Sequence, residues 1–295
     1  MLVVADRKAL LQVDQRMRTS RPGVFAGGRG TLAVEDNPMV LKVELIPIKH
    51  VLNGMTCLLS IDSSTERMCI ALSRGADSFV FEGEGGAQAS ARLLPEVLAL
   101  LQRAGCTLQQ VDAIGFGRGP GAFTGLRSAC SVAQGLALGA GKPVLALDSL
   151  LLVAQDAFDQ LGEAAADCWV AMDARMDEIY AAHYRHAGHE AGRWHTVVEP
   201  LLCRPEELNQ RWASEAPRCV AGSALAAFGE RLAVGSALPC PATRSRATAL
   251  ARLAEAAWRD GAAVDAALAL PVYLRDKVAQ TTAEREAAQR AKEAV

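Results

Sequence analysis

The chain has 295 residues, of which 51% are apolar, and carries a formal net charge of -2 at pH 7 with a pI of about 6.2. That length supports one large domain or two modest ones, each with its own core. The charge balance excludes the basic surplus by which a lone nucleic-acid binder usually holds phosphate, and no apolar stretch reaches the roughly 20 residues that span a membrane.

Residues 1–54 stand apart. Asp6, Arg7 and Lys8 interrupt the apolar start, so the segment is not a signal peptide. Arg21-Pro22-Gly23 and Gly27-Gly28-Arg29-Gly30 break any periodicity. The segment reads as an extension, either poorly ordered or upstream of a natural start at Met55; an extra element docked on the core is the alternative. The eight cysteines form no Cys-x-x-Cys pair. Several fall in apolar patterns, as buried free thiols do, which points to a reducing cytoplasm.

From Met55 the pattern is regular. Strands are expected at 57–61, 68–72 and 79–81, with Asp62-Ser63-Ser64-Thr65 as a turn between the first two. A helix follows with Leu94, Val97, Leu98 and Leu101 at helical spacing, ended by Gly105. Residues 111–116 read as a buried strand, 117–121 as a glycine-rich loop, and 124–140 as a helix stopped by Gly141-Lys142-Pro143. A strand at 144–147 leads to a helix ending at Leu161, with Asp148 or Ser149 as its cap.

The order then repeats. An apolar run at 168–172 ends at Asp173, as the first strand ends at Asp62. Strands at 179–184 and 194–198, a helix near 206–213 and a strand at 219–221 follow, and Gly222-Ser223 opens another helix. Two βββαβα halves, 55–162 and a smaller 163–295 with a helical tail, suggest an internal duplication, with chance similarity inside one α/β domain as the alternative. The layout is similar to the actin/Hsp70/sugar-kinase superfamily, two ribonuclease-H-like halves around a cleft.

The glycine-rich loop permits two readings. Gly119, Pro120 and Gly121 let the backbone reverse tightly, with Phe123 as a packing plug. Alternatively, the free N–H groups of the helix that begins near Phe123 or Thr124 make an anion site flanked by Arg118 and Arg127. Asp62 with Ser63 likewise reads as a solvated turn or as half of a phosphate and metal site. Asp173-Ala174-Arg175 has no glycine where a backbone must approach phosphate.

Other chemistries find little support. His183, His186 and His189 lie three apart, but strand geometry would turn them to alternate faces, so no metal site is expected. There is no Gly-x-Ser-x-Gly nucleophile elbow.

Gly119-Pro120-Gly121-Ala122-Phe123-Thr124-Gly125-Leu126-Arg127 resembles the signature of the TsaB (YeaZ-type) family, with Ala122 where serine is commoner. Leu59-Ser60-Ile61-Asp62-Ser63-Ser64-Thr65, the segment from Asp173 and Arg175 through Glu178 to Tyr180, and the segment from Tyr273 to Ala279 are also similar, in the same order, across about residues 55–280. The resemblance implies a non-catalytic scaffold subunit with no cofactor of its own. Its implied partners are a TsaD-type catalytic subunit, a TsaE-type ATPase and the threonylcarbamoyl-adenylate made by TsaC. Together they would modify adenosine 37 of tRNAs reading codons that start with A, and ATP and metal would belong to those partners. The catalytic TsaD carries a His-x-x-x-His motif, which this chain lacks. An active ATPase or small-molecule kinase of the same fold, or a metallopeptidase-like enzyme, are the alternatives.

The resemblance also implies self-association and TsaD contact through the first half, with tRNA reached only through the complex. Gly125, Ala129, Ala133 and Ala137 lie four apart on one helix face. With Leu94, Val97, Leu98 and Leu101 they are expected to form the partner interface, although a stripe of small residues would also suit packing on the chain's own sheet.

Overall fold

The computed structural model describes residues 56–188 and 193–275, all within one compact unit, 54–295. The expectations for residues 1–54, for His189 and for the tail beyond 275 lie outside the described residues.

Cys57–Asp62 (β1), Arg67–Arg74 (β2) and Asp77–Glu84 (β3) form an antiparallel meander. The helix Ala89–Arg103 (α1) leads to Ala113–Gly119 (β4), the helix Phe123–Ala140 (α2) and Val144–Asp148 (β5). β4 joins β1 in parallel and β5 joins β4, giving the order β3-β2-β1-β4-β5. Every residue of β1 is buried because helices cover both faces of the sheet, which explains its apolar run, interrupted by the buried Ser60. Gly105 and Gly141, both at positive φ, end α1 and α2 as left-handed caps.

The helix Leu151–Leu161 (α3) starts on Asp148, whose Oδ1 accepts the Leu150 and Leu151 amides at 2.8 and 3.3 Å. Then the topology recurs. Asp167–Asp173 (β6), Ile179–His186 (β7) and Trp194–Cys203 (β8) are antiparallel. Pro205–Glu215 (α4), Cys219–Ala221 (β9), Ala224–Phe228 (α5) and Leu238–Cys240 (β10) complete a sheet of order β10-β9-β6-β7-β8. This is the first sheet's order with each strand replaced by its counterpart. The second half is reduced: β9 and β10 have three residues each.

Sequence periodicity missed β10 and the helix Arg246–Arg259 (α6). Three residues with a central proline carry no strand signal. α6 is alanine-rich, so its apolar face contrasts weakly with the rest, although Ser245 caps it by accepting the Thr248 amide at 3.2 Å.

Two helices cross between the halves. One face of the first sheet, with Leu59, Ile61 and Ile114, packs on α1 and α2. Its other face, with Leu58, Cys69 and Leu145, packs on Ala247, Leu250 and Leu253 of α6, a helix that follows the second sheet in sequence. Conversely, Val153, Ala154 and Ala157 of α3 cover Cys168, Val170 and Tyr184 of the second sheet. The remaining face, with Trp169 and Ile179, meets Leu208 and Trp212 of α4. α3 and α6 are tied together: Asp159 pairs with Arg252 at 2.5 Å, and the Asp156 carboxylate accepts the Arg244 and Ser245 amides.

The interface expectation needs correction. Ala129, Ala133 and Ala137 of α2 and Val97 and Leu101 of α1 are buried in the first sheet's own core, and Gly125 is buried as well. Small side chains are there because α2 lies close on its sheet. Leu94 and Leu98, at 41% and 53% exposure, are the members of the set that face outward.

Candidate functional site

A cavity of about 670 Å³ lies between the two sheets, lined on one side by Ser64, Glu66, Pro120 and Phe123 and on the other by Met172, Arg175 and Ser223. Asp173 lines it directly, whereas Asp62 lies buried behind the lining residues Ser64, Ser149 and Arg246 that bond to it, and the turns that follow the two aspartates differ sharply.

Asp62 is wholly buried. Its Oδ1 accepts from Arg246 Nη2 at 3.0 Å and from Ser64 Oγ at 2.8 Å and Ser64 N at 3.2 Å. Its Oδ2 accepts from Ser149 Oγ at 2.8 Å, and that hydroxyl in turn accepts the Gly119 amide at 3.1 Å. Burial works to lower the Arg246 pKa, but the charge and hydrogen bond of Asp62, together with Cys69 and Glu82, outweigh this and raise it. Asp62 is therefore neither a solvated turn residue nor an open ligand; it is half of a buried ion pair supplied from α6. Gly117 makes room for it, since a Cβ there would lie 1.7 Å from Asp62 Oδ2.

The glycine-rich loop docks on this same turn. Ala122 N donates to Ser64 O at 2.7 Å, and Ser63 Oγ donates to Gly125 O at 2.7 Å. A Cβ on Gly121 would meet Ser64 O at 2.4 Å, and one on Gly125 would meet Ser63 O at 1.7 Å. The two motifs read separately in sequence are two sides of one backbone contact, which explains these two glycines without any phosphate. Gly125→Ala should therefore destabilise despite alanine's better helix propensity of about 1 kcal/mol. The backbone overlap places it at the upper end of the ~1–3 kcal/mol range for overpacking. Urea unfolding should show a net loss of about 2 kcal/mol; an unchanged or raised midpoint would contradict this contact.

Phe123 is half-buried rather than a core plug. Arg127 lies 3.9 Å from its ring centroid, and the Tyr273 ring lies 5.1 Å away, tilted by 44°, its hydroxyl accepting from Arg127 Nε at 3.2 Å. Thr124 is exposed, and Arg118 is half-buried with its carbonyl accepting the Val272 amide at 2.7 Å. Arg127 is thus engaged by aromatic rings rather than aimed at the helix N-terminus.

In the second half, Asp173 accepts the Arg175 amide at 2.8 Å and pairs with its guanidinium at 3.1 Å. Arg175, Met176 and Asp177 have φ of 62°, 56° and 62°. Three successive non-glycine residues in the left-handed region cost about 1–2 kcal/mol each, so neighbours must hold them. Arg275 does so, donating to the Ala174 and Arg175 carbonyls and pairing with Glu178. Arg231 clamps Asp177 through both carboxylate oxygens. Arg175 also reaches across the cavity to Glu66 at 3.1 Å, so protein side chains link the two turns.

His183 and His186 do not converge on a metal. His183 Nε2 lies 2.5 Å from Asp167 Oδ1 with its ring stacked on Trp169, whereas His186 stacks on Phe158. Among the described residues no three His, Cys, Asp or Glu side chains gather so as to hold a metal ion. Sequence reasoning missed Arg246, Ser64 and Ser149 as partners of Asp62. Only the Ser245 cap signal pointed to a helix at 246, and nothing local ties it to a strand 184 positions earlier.

Two sheets of matching strand order, one complete and one reduced, exchanged covering helices and an aspartate at the end of each first strand define a protein of the actin/Hsp70/sugar-kinase fold class with two ribonuclease-H-like halves. The family model described as TsaD, tRNA N6-adenosine threonylcarbamoyltransferase, matches residues 85–286. The tRNA threonylcarbamoyladenosine biosynthesis protein TsaB of Haemophilus influenzae is 34% identical over 229 residues, covering 75% of this chain and 94% of that protein. Its namesake from Escherichia coli is 37% identical over 155 residues, 52% of this chain and 65% of that one. The solved structure of YeaZ from Pseudomonas aeruginosa, 37% identical, superposes with a TM-score of 0.66 over 75% of this chain and 100% of its own. The chain belongs to the TsaB (YeaZ-type) family.

Proposed function

We propose that this chain is a non-catalytic scaffold subunit for threonylcarbamoylation of adenosine 37 in tRNAs reading codons that start with A. It acts in the cytoplasm beside a TsaD-type catalytic subunit and a TsaE-type ATPase, and reaches tRNA through that complex. The observation that carries the absence of chemistry is the state of Asp62: both of its carboxylate oxygens are occupied by Arg246, Ser64 and Ser149 in a fully buried setting. A carboxylate so engaged is poorly placed to position a metal or activate water. The Arg175–Glu66 ion pair spans the cavity between the two turns, and residues 174–176 include no glycine that would let the backbone come close to a phosphate. The missing His-x-x-x-His motif favours the TsaB role over the TsaD role.

The purified chain should turn over no ATP and modify no tRNA, and adding TsaD-type and TsaE-type proteins with threonylcarbamoyl-adenylate should give modified tRNA, read by nucleoside mass spectrometry. Sustained ATP turnover by the chain alone would favour the kinase or ATPase alternative.

The partner surface we assign is the outer face of α1 and its border with α2. Leu94 and Leu98 lie one turn apart and exposed, beside a groove of about 380 Å³ lined by Ser90, Thr124, Arg127 and Val132. Leu98→Arg should leave circular dichroism and melting unchanged while weakening self-association and TsaD-type binding at least tenfold, since an unpaired charge forced into an apolar contact costs several kcal/mol. Unchanged association in analytical ultracentrifugation and pull-down would remove this face from the interface.

A further inference from the structure

We propose that Cys57 and Cys106 form an oxidisable dithiol that a small hydroperoxide, hydrogen peroxide being the simplest, closes to a disulfide. Their sulfurs lie 3.6 Å apart, although the residues are far apart in sequence. Cys57 opens β1, and Cys106 follows the Gly105 that ends α1. A disulfide needs about 2.05 Å between sulfurs, so the pair must close by about 1.5 Å. Cys106 can supply that movement: it sits in a loop outside the strand ladder and at 6% exposure lies at the rim of the core.

The second close pair makes the contrast. Cys168 and Cys219 have sulfurs 3.8 Å apart, but they are directly registered residues of paired strands in mid-sheet, both fully buried. The ladder fixes both backbones there, and no oxidant reaches them without opening the sheet.

The chemistry divides between the two sulfurs. Burial, and then the hydrogen bond with Cys106, push the Cys57 thiol up to about 12, so it remains protonated. Cys106, nearer the surface, is the sulfur that meets the oxidant. Its thiolate attacks one peroxide oxygen, the O–O bond breaks, and the other oxygen leaves as hydroxide and takes up a proton to become water. Cys106 is then a sulfenic acid. The Cys57 sulfur attacks the Cys106 sulfur, the S–O bond breaks, and hydroxide leaves with the Cys57 proton as a second water. Two thiols lose two electrons and one peroxide becomes two waters. The product ties the end of α1 to the first residue of β1.

The test uses the full-length protein in its native state. It is treated with hydrogen peroxide, quenched into denaturant with N-ethylmaleimide, and analysed by intact mass and peptide mapping. The expected result is a loss of about 2 Da before alkylation, a single cross-linked peptide pair joining Cys57 to Cys106, and recovery of both thiols with dithiothreitol. The oxidised protein should melt several degrees higher, because the cross-link restricts the unfolded chain. A Cys106→Ala variant should lose the cross-link and the melting shift, while Cys168→Ala keeps both. Full alkylation of Cys57 and Cys106 after treatment, sulfinic acid at Cys106 without a link, or a link between Cys168 and Cys219 alone would each overturn the proposal.

Discussion

Arg246→Met should lower the unfolding free energy by about 3–5 kcal/mol, because it strands the buried Asp62 carboxylate without its counter-charge. Methionine fills much of the same volume, so the loss would report the broken pair more than a cavity. Asp62→Ala should be similarly damaging, since it leaves the Arg246 guanidinium buried at 7% side-chain exposure. The double variant should recover part of the loss, giving a favourable coupling energy of the order of 1–3 kcal/mol in a double-mutant cycle. Urea denaturation followed by circular dichroism measures all three. A loss below about 1 kcal/mol for Arg246→Met would mean that water reaches and satisfies Asp62, as at a surface ion pair.

Ala133→Arg should abolish the folded state. Ala133 has no exposure and sits between α2 and the first sheet. Arginine there adds a long side chain to a filled space and buries a charge with no partner, two penalties that each reach several kcal/mol. Their sum approaches the whole stability of an ordinary domain, about 5–15 kcal/mol. The variant is expected in the insoluble fraction or with a lost cooperative melt. A folded Ala133→Arg protein with wild-type melting would restore the stripe to the outer surface.

These two variants mark where sequence reading succeeds and where it stops. Periodicity located β1, β2, β4 and the helix at 124–140 because a strand covered on both faces reads as a continuous apolar run and a helix reads at its own period. The recurrence of a strand-end aspartate at Asp62 and Asp173 disclosed the duplication, which the matching sheet orders bear out. Which way the α2 alanines face was not legible, since close approach to a sheet and close approach to a partner helix require the same small side chains. The partner of Asp62 was not legible either: Arg246 comes from a helix that pattern analysis missed. Arg275's role was equally hidden, since the mixed basic and acidic residues around it in sequence give no hint of a buried partner. Arg275 lies in an irregular segment, half-buried against the turn after β6.

The exchange of α3 and α6 bears on how this chain reaches its structure during synthesis. The apolar face of the first sheet that carries Leu58, Cys69 and Leu145 waits for a helix that begins 98 residues after the last strand of that sheet ends. A ribosome-bound chain that has emerged only as far as β5 would present that face uncovered, and contacts closing so late in sequence are slow to form. The early half is thus exposed to mispairing until translation is nearly finished, the interval in which chaperones act on such surfaces. Although the two halves are copies in topology, they are not independent folding units, and circularly permuting the chain so that α6 precedes β1 should speed the first half's closure.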